Sequence, residues 1–447
     1  MCGIVGIAAR NGIVPADRLL LERMNALQAH RGPDGQGYFF ETAGDGGVGR
    51  VALAMTRLAI IDVAGGQQPI GNEDGTVFLV ANGEIYNFLE LRQQLEARGH
   101  AFRTRSDCET ILHLYEEHGL QCVDCLRGMF AFALFDARAG RLVLVRDRVG
   151  EKPLYLATLG DRLIFASEAR TLVGAGAVPF AVEPAAIVSY LHWGFVPEPQ
   201  AAVRGVRKLP AGRMLVVDLP EWRLEEKTYW RLTDATPVAG DAPQIIRAEL
   251  DTVSRLVVRS DVPVGVCLSA GVDSSVIAAL ASRHYPGTVH AVSVGFAGET
   301  MQDERAEARA FARHLDIPFH DVVISPAEAA QSLPAVCVAR DEPLCDPAGV
   351  SISHMMALCR DSRLPVMLNG LGGDELFWGY PWVLRALAMT ERKRRAMSGQ
   401  ARVSEYLDGY LPPLSYTGLL RWMRDAAGLR PAAARYWLDR AEDPEQM

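Results

Sequence analysis

The residue richest in chemistry is Cys2, set between Met1 and Gly3. Removal of Met1 would leave a thiol and a free α-amine on one residue. An unperturbed α-amine has a pKa of about 7.7–8.0, so part of it is unprotonated at neutral pH. Nucleophile and base would then share a residue, in reach of each other directly or through one water. A thiolate that attacks a carboxamide puts negative charge on the amide oxygen. The side-chain NH2 of Asn82 and the backbone N–H of Gly83 offer two donors for that charge, on what reads as a strand-ending loop. Gly83 also permits close backbone approach. An amino-acid substrate carries an α-ammonium and an α-carboxylate. Asp107 suits the first, with Glu84 as a second carboxylate for it, and Arg57 suits the second in bidentate fashion.

A separate constellation lies in the second half. Residues 262–268 (VPVGVCL) read as a strand buried on both faces, and residues 269–275 (SAGVDSS) follow before an apolar helix. A small-residue loop between a parallel strand and a helix N-terminus is an anion site, favoured by backbone N–H groups and the helix dipole. Asp273 would repel bare phosphate there and makes sense as a holder of Mg²⁺.

The elements that must position these groups differ between the halves. In the first, strands are expected over 3–8, 51–54, 57–62 and 77–81, and a hairpin over 129–135 and 141–146. Helices are expected over about 88–98 and from Ser106, with Ser106 and Glu109 forming a capping box. Strands and helices mix without regular alternation, which predicts α+β layers. In the second half, strands over 290–296, 320–324 and 365–368 alternate with helices over 303–316, 326–339 and 349–361. That alternation predicts a doubly wound parallel sheet with ligand loops at the carboxyl ends of its strands. Asp303 and Glu304, at the start of a helix, are further acids for that site, and residues 369–375 (NGLGGDE) form a second loop. The domain boundaries expected are 2–210, a connection over 211–243 with its most linker-like part at 234–243, and 244–447.

Bulk properties narrow the class. The chain has 447 residues, 49% apolar and 22% charged, and a formal net charge of −8. Two or three domains with ordinary cores fit that length. The acidic balance argues against nucleic acid or an anionic membrane as main partner. No apolar run approaches the ~20 residues of a membrane span, and no signal peptide is visible. Eight cysteines are too few and too irregular for a disulfide framework, and Cys122 and Cys125 read as buried apolar thiols. A reducing cytoplasmic location suits a thiolate nucleophile.

Taken together, Cys2-Gly3-Ile4, HRGPDG (30–35), RLAIID (57–62), NGEIYN (82–87), SDCE (106–109) and RDRVGEKPLY (146–155) resemble the glutaminase domain of glutamine-dependent asparagine synthetases. The resemblance covers about the first 210 residues. It implies an N-terminal-nucleophile (Ntn) hydrolase sandwich in which Cys2 attacks the glutamine side-chain amide. Asn82 and Gly83 would form the oxyanion hole, and Arg57, Glu84 and Asp107 the glutamine clamp. SAGVDSS and GLGGDE resemble the ATP-pyrophosphatase loop and acidic loop of the same family's synthetase domain. By position, Ser269, Gly271, Asp273, Ser274 and Ser275 would bind pyrophosphate and Mg²⁺, Asp374 would be the second metal carboxylate, and Val294 and Gly370 would lie beside the adenosine. The implied partners are glutamine and a small carboxylate, with ATP and Mg²⁺ as cofactors and a homodimer or a partner subunit as the assembly.

Four departures from the family pattern are visible, and two of them bear on function. Met55 and Ala59 stand where the family often has histidine and serine, and both read as packing changes. Leu371 replaces a glutamate usual in the acidic loop, and an apolar residue can neither orient an acyl-adenylate nor move a proton. GLGGDELF, together with residues 193–197 (WGFVP), resembles amidotransferases encoded with polysaccharide genes, which moves the expected acceptor away from aspartate. The family's lysine-bearing segment and its EARVPFLD-like stretch are not found before Met447. The expectation is a glutamine-dependent amide ligase, with a glutaminase-like or ATP-binding partner subunit as the alternative. An amide cyclase on this scaffold is disfavoured, because such enzymes need no glutaminase site.

Overall fold

The computed structural model describes residues 1–42, 48–298 and 303–398. Twelve strands occupy the first half: β1 Gly3–Ala9, β2 Gly35–Phe40, β3 Val51–Arg57, β4 Ile70–Gly71, β5 Val77–Ile85, β6 Gly128–Asp136, β7 Arg141–Arg146, β8 Tyr155–Leu159, β9 Arg162–Ala166, β10 Arg207–Lys208, β11 Arg213–Asp218 and β12 Arg223–Thr228. They build two antiparallel sheets, ordered β10-β8-β9-β1-β3-β2 and β12-β11-β7-β6-β5-β4.

Period-2 alternation explains the layers. Ile4 and Ala8 of β1, Val51, Leu53 and Met55 of β3, and Ala131, Ala133 and Phe135 of β6 meet in one core between the sheets. The intervening residues turn outward. Val5, Ile7, Ala52 and Ala54 pack with Leu21 and Met24 of the helix Pro15–Leu27. Phe130, Phe132 and Leu134 pack with Leu91, Leu95, Ile111 and Leu112 of the helices Phe88–Ala97 and Glu109–His118. The result is helix, sheet, sheet, helix. Such double-sided burial needs strands that are apolar at every position, and β1 (GIVGIAA) is buried throughout.

Four expectations change here. Residues 57–62 form no second strand, because the chain turns at Arg57 and wraps its guanidinium. Residues 82–85 continue β5 rather than ending it, held by β6 through Asn82↔Ala131 and Glu84↔Met129. The helix after Ser106 begins at Glu109 without a side-chain cap, since the Glu109 carboxylate instead accepts from the backbone N–H groups of Arg103 and Thr104. Finally, the stretch expected as a connection from 211 contributes β11 and β12 to the second sheet, β11 pairing with β7.

The remaining strands are β13 Val264–Cys267, β14 His290–Phe296, β15 Phe319–Ile324 and β16 Val366–Leu368. All are parallel, in the order β15-β14-β13-β16. Val266, Leu268 and Ala291 pack with Ala278 and Ala281 of the helix Val272–His284 and with Ala308 and Ala312 of Arg305–His314. The alternating β and α elements read from the sequence are present. Residues 1–369 form one compact unit. Residues from Gly370 belong to a second, whose described part holds the helices Gly373–Phe377 and Pro381–Met397. Residues 401–403 (ARV), the nearest fragment to the family's EARVPFLD-like stretch, lie outside the described residues. Among those described, no helix is long and apolar enough to cross a membrane.

Candidate active sites

Cys2 extends the inner-face alternation of β1 and lies against the core between the sheets. Its Sγ accepts from the Leu58 backbone N–H at 3.4 Å and donates to the Leu58 carbonyl at 3.7 Å. The 58–63 loop that supplies these groups is fixed from two sides. Arg57 donates to the carbonyls of Ile61, Asp62 and Val63 at 2.7–3.1 Å. Asp34, in the HRGPDG loop, accepts from Ala59 N–H at 2.8 Å. Gly32 of that loop lies so close to β3 that a Cβ there would meet the Thr56–Arg57 peptide at 2.3 Å. Arg31 donates to the Cys2 carbonyl at 3.0 Å and pairs with Glu168 at 2.9 Å.

The two groups expected as oxyanion donors lie on β5. Val80 faces the inner core and Ala81 the outer one, so Asn82 and Glu84 point inward, on the side of Cys2. Asn82 is 1% exposed, and its Nδ2 has no hydrogen-bond partner among the described residues. A buried unpaired amide is costly, on the order of 1–3 kcal/mol. Opposite Gly83, Phe130 exchanges its N–H and carbonyl with Asp147 instead of β5. Gly83 therefore directs its N–H to the free edge of β5. On that edge Gln68 satisfies Ala81 and Asp107 accepts from Ile85 N–H at 2.7 Å. Gly83 is also sterically required: a Cβ would meet the Met129 carbonyl at 2.2 Å.

Electrostatics single out the same place. Burial, and then Asp107, push the Glu84 carboxyl well above its ordinary range. Burial likewise raises Asp107, against the backbone N–H groups that lower it. Two facing carboxyls in low dielectric ask for a cation between them. The terminal amine, here on Met1, is pulled down to about 6, by burial first and by Arg31 and Lys152. Burial raises the Cys2 thiol, while its Leu58 hydrogen bond and the amine lower it.

Lys152 is a site residue that sequence reasoning assigned no role. It is 5% exposed, and its Nζ approaches Met1 Sδ at 3.4 Å. The RDRVGEKPLY stretch puts it there. Asp147 accepts from the N–H groups of Glu151 and Lys152 at 2.9 and 3.0 Å, and Arg146 donates to the carbonyls of Gly150 and Lys152 at 2.8 Å. Met55 is fully buried in the inner core and Ala59 is 8% exposed, so both departures from the family are packing positions.

In the parallel sheet, β13 leads into SAGVDSS. Ser274 Oγ accepts from Ser269 N–H at 3.1 Å and meets Ser269 Oγ at 2.9 Å. Gly271 N–H donates to Ser269 Oγ at 3.1 Å, and Ser275 Oγ donates to the Gly271 carbonyl at 2.8 Å. The thirteen-residue helix Val272–His284 starts after Gly271 with no side-chain cap. Its first N–H groups and half-buried Asp273 fit a phosphate carrying Mg²⁺. Glu304 reaches the loop, accepting from Ala270 N–H at 3.3 Å. Asp303 does not, since Arg305 engages its carboxylate at 2.7–3.1 Å. Val294 is half-buried in β14, opposite Val322.

In the second unit, Gly370 accepts from Gly373 N–H at 3.2 Å, and Gly372 adopts φ +104°, a conformation that favours glycine. Glu375 accepts from Gly372 N–H and Tyr380 OH, both at 2.7 Å. Gly379 lies directly against the Asp374 carboxylate, and Leu371 is 76% exposed.

Comparison with known proteins agrees with both halves. A glutamine amidotransferase domain model matches residues 1–230, and an asparagine synthase model matches 246–446. Glutamine-hydrolysing asparagine synthetase 1 of Bacillus subtilis is 36% identical over 385 residues, 85% of this chain and 59% of that protein. Its synthetase 2 is 32% identical over 86% of this chain and 53% of its own length. The Asparagus officinalis enzyme is 30% identical over 86% of this chain and 61% of its own. The chain thus spans between about half and three-fifths of the length of these relatives. With a half-buried thiol on the same inner face as an uncompleted amide donor in one half and a small-residue anion loop in the other, this chain belongs to the family of glutamine-hydrolysing asparagine synthetases.

Proposed function

We propose that this chain is a glutamine-dependent amide ligase, with an Ntn-hydrolase sandwich as its glutaminase and an ATP-pyrophosphatase-type sheet as its synthetase. The observation that carries the reading is the buried, unpartnered Nδ2 of Asn82, on the same inner face as Cys2. With Met1 removed, the α-amine of Cys2 takes the thiol proton. The thiolate attacks the glutamine amide carbon, and Asn82 Nδ2 and Gly83 N–H receive the oxyanion. The protonated amine returns its proton to the leaving nitrogen, ammonia departs, and water hydrolyses the thioester to glutamate. Glu84 and Asp107 hold the substrate ammonium. Arg57 holds the carboxylate with the N–H groups it does not give to the 61–63 carbonyls.

An open pocket of ≈ 360 Å³ in the first unit is where the halves meet, lined by Arg31, Ser167, Glu168 and Lys208 and, from the synthetase half, by Asp341 and Glu342. Ammonia passed between the sites must be kept from water, which would protonate it. Ser269, Gly271, Ser274 and Ser275 would hold the pyrophosphate of ATP, with Asp273 on Mg²⁺ and Val294 beside the adenosine, while Asp374 and Gly370 of the second unit keep the metal and adenosine roles that the family resemblance implies. ATP would supply the adenylyl group that activates the acceptor carboxylate. The test is release of glutamate from glutamine, with AMP and pyrophosphate formed only when a carboxylate acceptor is added. Glutamate release without AMP from any acceptor or partner mixture would instead support a glutaminase-like subunit, the second reading, which exposed Leu371 favours.

A further inference from the structure

On the outer face of the second sheet, away from Cys2, two histidines and two glutamates turn one ligand atom each toward a common point. They come from three stretches of chain: Glu73 from the turn before β5, His100 after the helix Phe88–Ala97, and His113 and Glu116 from Glu109–His118. His100 Nδ1 lies 3.6 Å from Glu73 Oε1 and from Glu116 Oε2, His113 Nδ1 lies 3.6 Å from Glu73 Oε2 and 3.1 Å from Glu116 Oε2, and one ligand atom from each of the four lies within 4.8 Å of the others. Nitrogen and oxygen ligands at 2.0–2.2 Å from a tetrahedral ion are about 3.3–3.6 Å apart. We infer that Glu73, His100, His113 and Glu116 bind one zinc-class divalent ion, a site distinct from the glutaminase and nucleotide sites.

The surroundings orient each ligand. Glu117 receives His100 Nε2 at 3.0 Å, which leaves the Nδ1 lone pair for the ion. Glu109 lies 3.7 Å from His113 Nε2, which is buried and has no hydrogen-bond partner among the described residues. The carboxylate bonded behind His100 is the arrangement that fixes tautomer and raises ligand basicity. Asn72 holds Glu116 Oε1 at 2.7 Å, with Arg138 3.8 Å from it, so Oε2 is the oxygen presented. Ala101 N–H fixes Glu73 at 3.0 Å. Imidazole and carboxylate donors without sulfur suit zinc and its first-row neighbours. An ion here would tie the turn before β5 and the segment after His100 to the helix behind Asp107. Glu109 of that helix also holds the N–H groups of Arg103 and Thr104 in the approach to Asp107.

The test uses the full chain carrying Cys2→Ala, so that the reactive thiol takes no metal, stripped with chelator and titrated with Zn²⁺ and Co²⁺. The expected result is one equivalent bound, with the visible bands of four-coordinate Co²⁺ and a rise in Tm on Zn²⁺ addition. Glu73→Gln and His100→Gln each lose that equivalent while keeping the far-UV circular dichroism of the parent. Glu117→Gln weakens binding by about ten- to a hundredfold, the usual effect of an outer carboxylate. Failure of the parent to bind, or an undiminished equivalent in the folded Glu73→Gln/His100→Gln variant, overturns the inference.

Discussion

The strand that carries Cys2 and the strand that feeds SAGVDSS are built differently. Every residue of β1 is buried, because the second sheet covers one face and the helix Pro15–Leu27 the other. In the parallel sheet β13 is buried over Val264–Val266 only, while β15 and β16 are mostly half-buried. The glutaminase groups therefore sit on or beside strands locked from both faces, whereas the nucleotide groups sit on loops tied mainly to their own hydroxyls. Sites on rigid elements hold geometry more closely than sites on loops. The contrast predicts that changes in the first site act on the chemical step and that changes in the second act on binding.

The strongest way to break this contrast is Cys2→Ala. Glutamine hydrolysis should fall by roughly 10⁴-fold or more, the usual cost of losing a nucleophile, while nucleotide binding measured by calorimetry stays unchanged. Retained hydrolysis would remove the nucleophile assignment. Next comes Asn82→Ala, expected to lower kcat about 10²–10³-fold with little change in KM, as for loss of one oxyanion donor. A change confined to KM would make Asn82 a substrate contact.

Glu84→Gln sharpens the comparison through an opposite pair of effects. The folded carboxyl titrates above its unfolded value, so the folded chain binds the extra proton. Stability is then lost as pH rises from the ordinary carboxylate range through the raised one. Removing the charge should stabilise the protein by about 1 kcal/mol at neutral pH and raise the KM for glutamine. In the unmodified protein, that KM should rise as pH falls through the raised range of Glu84 and Asp107. A lower Tm for Glu84→Gln at pH 7 would contradict the desolvation argument.

Asp341→Ala probes how the halves are joined. Asp341 accepts from the N–H groups of Ala169 and Arg170, and its neighbour Glu342 pairs with Lys208. Two buried donors would lose their acceptor, at about 1–3 kcal/mol each. Calorimetry should then resolve two transitions in place of one. The smallest effect is expected from Ser274→Ala, about 1 kcal/mol of lost loop order, read as several-fold weaker ATP binding with hydrolysis of glutamine unaltered. An equal loss of glutaminase activity would mean that the sites are coupled.

Much of the first site is legible in the chain because its residues cluster in short motifs. Cys2, Asn82 and Glu84 lie on one inner face and Asp107 holds the Ile85 N–H, and the alternation of Val80, Ala81 and Asn82 accounts for the direction of the β5 groups. Arg57 was less legible. Its guanidinium gives three N–H groups to its own loop, a use no spacing announces. Lys152 was missed because a lone buried lysine in a turn motif carries no pattern. Asp303 was over-read, since its partner Arg305 two residues on satisfies it locally.

By itself, the sequence determined the chemical inventory and the element types. Period-2 apolar strands, a small-residue loop and the Cys2-Gly3 start are local properties. Only the tertiary structure decided which polar atoms remain unpaired. That Asn82 Nδ2 lacks a partner among the described residues, that Gly83 N–H faces a free edge, and that Glu73, His100, His113 and Glu116 cluster all depend on pairing between distant strands and helices. Those contacts arise from burying both faces of each sheet, a requirement of the whole core that no stretch of sequence states alone.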